Sequence, residues 1–148
     1  ALFDVQLYVR PHPSQDATLY QEWKRSHQLS NMRLVHEKPL YPLLNEVDVV
    51  ISRTSTVGLE AALLGRPLLM IEPEPGLSDM PLPEYGMALA ANSDLEIEVG
   101  LARLLKDKSL RSQFRDNARA NFQLDEKAAE RVVTIIEKTQ STSHIGEL

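Results

Sequence analysis

The sequence has no cysteine and no long apolar run. Without cysteine, disulfide bonds and thiolate metal sites are excluded, which is compatible with a reducing compartment. Glu60 and Arg66 interrupt the best candidate for a membrane span, so no segment approaches the ~20 apolar residues that cross a bilayer. The first ten residues lack the basic start and the long apolar core of a signal peptide. We therefore expect a cytoplasmic protein without a membrane span.

The sequence also lacks an excess of positive charge. Its net charge is -5 and its pI is about 5.4, so the global basic footprint of a nucleic-acid-binding protein is missing. Its 148 residues, 43% of them hydrophobic, favour one globular domain with a sizeable core. The chain begins almost at once with a predicted strand, and from this abrupt start we expect it to be a piece of a longer protein.

Three nucleotide and hydrolase motifs are absent. No Gly-x-Gly-x-x-Gly follows a strand and no phosphate-loop Gly-Lys-Ser/Thr occurs, which weighs against a dinucleotide dehydrogenase or a nucleoside triphosphatase. No Gly-x-Ser-x-Gly elbow is present either, which disfavours an α/β-hydrolase. His27, His36 and His144 have no metal-ligand spacing, so we expect no metal site.

Hydrophobic periodicity predicts strands that alternate with helices. We predict strands over 3–9, 32–36, 47–52, 67–71 and 86–91, and helices over 16–29, 40–46, 57–64, 95–105, 109–122 and 125–139. The runs at 47–52 and 67–71 are typical of strands buried on both faces, and the apolar residues of the last helix are expected to pack inward. This order favours an α/β fold with a Rossmann-like parallel sheet of about five strands and helices on both faces. A proline-rich loop over 72–84 and a frayed tail over 140–148 complete the prediction.

The most informative run extends from Asp48 to Glu72. It predicts a strand, a polar elbow from Ser52 to Thr56, a helix, a stop at Gly65 and a second strand. Free backbone N–H groups and the helix dipole make such an elbow a natural anion site, although Ser and Thr also cap helices without any ligand. In a parallel sheet the elbow lies at the carboxyl edge, where ligands bind, together with the loops over 11–15 and 72–84.

With its elements in this order, the chain resembles the C-terminal, donor-binding domain of a GT-B glycosyltransferase from Phe3 to about Ile136. The resemblance rests on Arg10-Pro-His-Pro after the first strand and on Ser55-Thr-Val-Gly-Leu-Glu-Ala-Ala-Leu-Leu-Gly-Arg-Pro after the third. Similar paired signals occur in bacterial capsule and surface polysaccharide transferases, CDP-glycerol glycerophosphotransferases and UDP-N-acetylglucosamine 2-epimerases. The resemblance implies that residues 1–139 form a nucleotide-sugar donor-binding domain and that the N-terminal acceptor domain of the same protein lies outside the chain. The isolated chain is then expected to be inactive.

The resemblance also implies roles for individual residues. His12 would face the donor's phosphate or sugar and is the candidate catalytic residue. Ser55 and Thr56 would bind the donor phosphate, and Glu60 would accept hydrogen bonds from the ribose. The backbone around His36 would meet the nucleobase.

Two arginines complete the predicted donor site. Arg10 can reach the His12 loop. Arg53 stands beside Thr54 where related proteins have small residues, so it either pairs with a phosphate or blocks its approach. The donor enters as a substrate, and no cofactor is expected.

Other readings stay open at this point. An epimerase-like domain and a non-catalytic α/β interaction domain share the predicted element order. A basic stripe lies on the predicted helix over 109–122 and just before it. Such a stripe is typical of a solvated helix face. It also suits attraction to anionic lipid or to an anionic polymer. The stripe consists of Arg103, Lys106, Lys108, Arg111, Arg115 and Arg119. We therefore expect that the chain can contact the inner face of the membrane peripherally. A second expected partner is the missing N-terminal domain of the same protein.

Overall fold

A computed structural model describes residues 5–53, 55–72, 80–122 and 127–143. Part of the proline-rich loop, Thr54 and the end of the tail lie outside these residues. The described elements follow the predicted order of strands and helices, although most strands are shorter than predicted. They are β1 (Leu7–Val9), α1 (Ala17–Ser26), β2 (Met32–Leu34), α2 (Leu40–Glu46), β3 (Val50–Ser52), α3 (Thr56–Leu63), β4 (Leu68–Ile71), β5 (Leu89–Ala91), α4 (Asp94–Lys106), α5 (Lys108–Asn121) and α6 (Ala128–Ser143).

The strands are parallel, as predicted, but they form two sheets. β1 pairs with β2, and β3, β4 and β5 pair in that order. The chain divides into two compact units, one ending at Glu46 and the other beginning at Val47. A single sheet of about five strands is therefore not confirmed for the described residues.

The core of the second unit is built around β4. Leu68 and Leu69 are completely buried because helices cover both faces of this strand. A Cβ atom placed on Gly58 of α3 would lie 3.5 Å from Leu68 Cδ2, and one on Gly100 of α4 would lie 2.9 Å from Leu69 Cδ1. Successive strand residues point to opposite faces, so α3 and α4 lie on opposite sides of the sheet. The prediction of helices on both faces is confirmed for this unit.

β3 is less buried than its apolar sequence predicts. Val50 is buried, but Ile51 is 40% exposed. β3 is an end strand of its three-stranded sheet, whereas β4 lies in the middle. The prediction of burial on both faces is right for β4 and wrong for β3.

The ends of α1 and α3 follow from backbone conformation. Gly65 has a φ of +70°, and the backbone N–H of Arg66 donates to the carbonyl of Ala61, which ends α3 as predicted. α1 ends at Ser26, three residues before its predicted end, because Gln28 takes the same left-handed conformation at a φ of +52°. The Leu29 N–H then donates to the carbonyl of Lys24, a helix ending that usually carries glycine.

α6 does not pack inward. Its Val132, Val133, Ile135 and Ile136 side chains are 51 to 63% exposed, so the prediction that they join the core is wrong. The helix also continues to Ser143, beyond the predicted end at residue 139. Helical periodicity shows that a helix has an apolar face, but it does not show that the same chain supplies a partner for that face.

Asp16 caps α1 and gives a pH prediction. Its carboxylate accepts hydrogen bonds from the hydroxyl and the backbone N–H of Thr18, which lower the pKa of Asp16 below its ordinary value of 3.8. A lowered pKa in the folded state stabilises the fold above the ordinary value, and this contribution is lost as the pH falls through the folded value. We expect NMR titration to give a midpoint below 3.8. Thr18→Val removes the hydroxyl, which has the larger effect on the pKa of Asp16, so the variant should have a higher titration midpoint. An unchanged midpoint would show that the Thr18 hydroxyl does not lower this pKa.

Candidate functional site

Two helices begin at the carboxyl edge of the three-stranded sheet. β3, β4 and β5 are parallel, so their carboxyl ends lie at the same edge. α3 begins four residues after the end of β3, and α4 begins three residues after the end of β5. Each helix N-terminus offers backbone N–H groups and the positive end of its dipole to that edge.

The N-terminus of α4 is closed by its own side chains. The Ser93 hydroxyl accepts from the Glu96 N–H at 3.4 Å, and the Glu96 carboxylate accepts from the Asn92 N–H at 2.7 Å. This reciprocal cap satisfies two backbone donors and places a carboxylate at the helix start, where Asp94 adds another. An anion at this point would meet negative charge, so α4 is a poor anion site.

The N-terminus of α3 is open by comparison. Its first turn contains no acidic residue. The Ser55 hydroxyl accepts from the Val57 N–H at 3.2 Å, which leaves its own O–H able to donate. Thr56 is exposed, and neither its N–H nor its hydroxyl has a hydrogen-bond partner among the described residues. Of the two helix starts at this edge, α3 is the one suited to an anion.

The other predicted donor residues of this unit flank the start of α3. Arg53 is exposed and directly follows β3, where its charge adds to the positive end of the helix dipole. Glu60 lies one turn into α3 and is partly buried. The first turn lies close to the end of β3, since a Cβ atom on Gly58 would be in van der Waals contact with the Ser52 hydroxyl at 3.6 Å. Ser52, Arg53, Ser55 and Thr56 therefore lie around one helix start.

The His12 loop belongs to the first unit and is held by local hydrogen bonds. The Gln15 N–H donates to the His12 carbonyl at 2.8 Å, and the Gln15 side-chain oxygen accepts from the His12 N–H at 2.9 Å. The Ser14 N–H donates to His12 Nδ1 at 3.2 Å, and the Ser14 hydroxyl lies 2.7 Å from the same nitrogen. Because Nδ1 accepts a hydrogen bond from a backbone N–H, the ring proton of neutral His12 belongs on Nε2.

This tautomer defines what His12 offers a ligand. The residue is exposed, so its Nε2–H can donate to a phosphate or sugar oxygen. In this arrangement the ring is a hydrogen-bond donor and not a ready general base. Ser14 and Gln15 were not predicted from the sequence to have a role of their own. Their positions two and three residues after His12, where short polar side chains commonly bond back to the turn, are the signal that could have found them.

Arg10 and the segment of His36 are brought together. The Arg10 guanidinium donates to the carbonyl of Lys38 at 3.3 Å, and the Val35 N–H donates to the Val9 carbonyl at 3.0 Å. Lys38 in turn forms an ion pair with Glu46. Arg10 therefore ties the segment after β1 to the segment after β2, which carries the exposed His36. One of its five N–H donors is used to position this backbone.

A largely apolar pocket lies beside the His12 loop. It has a volume of about 590 Å³ and is formed by α1 and the β1–β2 sheet. Gln15, whose side-chain oxygen also accepts from the Tyr20 hydroxyl at 3.1 Å, joins the pocket to the loop. The pocket lining consists of Val9, Gln15, Asp16, Leu19, Tyr20, Trp23 and Met32.

Two further kinds of feature are absent from the described residues. Among the described residues, no group of three or more histidine and carboxylate side chains has a metal-binding arrangement. Within the same parts of the chain, no helix has both the length and the apolar character needed to cross a bilayer.

The chain is similar to a protein family and to a solved structure. The family model of capsule polysaccharide biosynthesis proteins matches residues 3–72, which include the His12 loop, α3 and β4. Among solved structures, the spinosyn forosaminyltransferase SpnP matches 93% of the chain with a TM-score of 0.58 and 22% identity. The chain has a glycosyltransferase-like fold.

Both matches cover only part of a chain. The chain spans about a third of the length of SpnP, since 35% of that protein is covered. The family match ends at residue 72, before β5 and the last three helices. A comparison with curated proteins gives no match. The chain is therefore similar to capsule polysaccharide biosynthesis proteins over residues 3–72 and has a glycosyltransferase-like fold.

Proposed function

We propose that the chain is the donor-nucleotide-binding half of a GT-B glycosyltransferase that builds a surface polysaccharide or glycolipid. The observation that carries this proposal is the acid-free N-terminus of α3, capped by Ser55 at the carboxyl edge of a parallel sheet. Ligands of open α/β sheets bind at this edge, and phosphates bind at helix N-termini. The family match over residues 3–72 includes this element and supports the same assignment.

The donor phosphate would lie over the start of α3. It would accept hydrogen bonds from the Ser55 hydroxyl and from the Thr56 N–H, while Arg53 adds positive charge. These fixed donors and the helix dipole stabilise the negative charge that develops on the leaving nucleotide when the sugar is transferred. Glu60, one turn further, would accept hydrogen bonds from the ribose hydroxyls.

In the first unit, the family resemblance implies donor-contacting roles for His12 and for the segment of His36. His12 would donate from Nε2 to a phosphate or sugar oxygen, because Ser14 occupies Nδ1. The backbone near His36, positioned by Arg10, would meet the nucleobase. The acceptor and the catalytic base would come from the N-terminal domain of the longer protein, so this chain binds the donor without transferring the sugar.

Titration of the chain with UDP, CDP, GDP and CMP, followed by NMR or calorimetry, tests the proposal. Two serine variants sharpen it, because Ser55 and Ser93 cap neighbouring helices at the same edge. Ser55→Ala and Ser93→Ala should each lower the free energy of unfolding by about 1 kcal/mol through loss of the cap. We expect Ser55→Ala also to weaken nucleotide binding about tenfold, the value of one hydrogen bond to a charged group, and Ser93→Ala to leave it unchanged. Absence of binding at millimolar nucleotide, or equal effects of both variants on affinity, would overturn the proposal.

A further inference from the structure

A row of cations runs along α5. Lys108, Arg111, Arg115 and Arg119 recur at intervals of three or four residues, which places them on one helix face. The buried residues Phe114 and Ala118 border this face on the side of Arg111, which is partly buried, whereas Lys108, Arg115 and Arg119 are exposed. The row extends for about 16 Å along the helix axis, from the rise of 1.5 Å per residue.

The acidic residues of α5 and of its cap leave most of this charge unpaired. Asp116 lies 3.6 Å from the Arg115 guanidinium, and Asp107 accepts from the Leu110 N–H as the N-cap of the helix. Among the described residues, Lys108, Arg111 and Arg119 form no ion pair. Within the part of the chain that the structure describes, three cations of the row are therefore without an ion-pair partner, although the net charge of the sequence is -5.

An exposed leucine lies next to the row. The Arg115 stem packs over Gly65, where an added Cβ atom would lie 3.0 Å from Arg115 Cγ. Leu64, the residue before Gly65, is 39% exposed. Cations with an aliphatic side chain beside them suit the boundary between lipid headgroups and acyl chains, whereas a soluble polyanion offers nothing for the leucine.

This surface is distinct from the candidate donor site. Gly65 lies between the end of α3 and the start of β4, so the row runs near the amino end of β4. The proposed phosphate site lies at the start of α3, beside the carboxyl ends of the strands. The two surfaces of this unit can therefore be occupied independently.

We propose that this face of α5 binds the surface of an anionic lipid bilayer. Lys108, Arg111 and Arg119 contact the headgroups, and Leu64 enters the interface. The attraction is electrostatic and local, since juxtamembrane cations act within a Debye length of the surface.

Co-sedimentation of the chain with vesicles tests the proposal. We expect binding to vesicles of one part phosphatidylglycerol to two parts phosphatidylcholine, no binding to phosphatidylcholine alone, and loss of binding at high salt. Replacing three cations of the row should lower the partition coefficient at least tenfold, whereas the same charge change in the first unit should have little effect. The test variant is Lys108→Gln with Arg111→Gln and Arg119→Gln, and the control is Lys24→Gln with Arg25→Gln and Arg33→Gln.

A further pair of measurements separates lipid from a soluble polyanion. Leu64→Ser should weaken binding to the anionic vesicles several-fold and leave binding to polyglutamate unchanged. Circular dichroism confirms that each variant keeps its helices. The proposal is overturned if the chain does not bind the anionic vesicles, or if the test and control triple variants lose vesicle binding equally. It is also overturned if the row is needed for binding to polyglutamate but not for binding to vesicles.

Discussion

Replacing Thr56 by glutamate should weaken nucleotide binding about a hundredfold and at the same time stabilise the chain. The new carboxylate would stand in the first turn of α3, where the proposed phosphate lies. Two like charges about 4 Å apart repel by up to ~4 kcal/mol near a protein surface, and a hundredfold loss corresponds to part of this. The same carboxylate interacts favourably with the helix dipole, which adds about 0.3–1 kcal/mol to the free energy of unfolding.

The opposite signs of the two effects make this variant decisive. Destabilisation cannot explain lost affinity in a variant that unfolds at a higher urea concentration. Thr56→Gln is the matched control, because it has the size of glutamate without the charge and should keep most of the affinity. If Thr56→Glu binds nucleotides as tightly as the unmodified chain, the start of α3 is a capped helix end and not a phosphate site.

Replacing Leu69 by alanine should lower the free energy of unfolding by about 3 kcal/mol, because the side chain is completely buried and leaves a cavity. Leu69 packs in the cluster that includes Ala91, Leu104 and Phe114, between β4 and the helices that cover it. Urea unfolding of the second unit measures the effect. Leu95→Ala is the control, since Leu95 is 69% exposed on α4 and its loss should cost less than about 0.5 kcal/mol. Similar costs at both positions would contradict the placement of the core.

The element order was predictable because each element has a local signal. Ser55 and Gly65 bound α3 in the sequence, and the structure uses both, one as the N-cap and the other at a positive φ. The end of α1 was not predictable in the same way, because Gln28 takes a left-handed conformation that glycine usually supplies. The prediction therefore failed where a residue departs from its usual backbone preference.

The parts of the site were predictable to different degrees. His12 and Ser55 follow strands and carry recognisable polar turns, so the sequence singled them out. Their roles as phosphate and sugar contacts stay predictions, which the titrations above test. The bond from Arg10 to the Lys38 carbonyl joins residues 28 positions apart, and no local pattern indicates it.

The sequence by itself determined the order of the elements, the stop of α3 at Gly65 and the hydroxyl-rich start of that helix. These features depend on backbone preferences and on hydrogen bonds between near neighbours, which short segments encode. Only the tertiary structure decided that β4 is buried on both faces while Ile51 of β3 is exposed, and that the apolar face of α6 stays exposed among the described residues. Burial depends on which other elements cover a face, and that is a property of the packed chain and not of the segment.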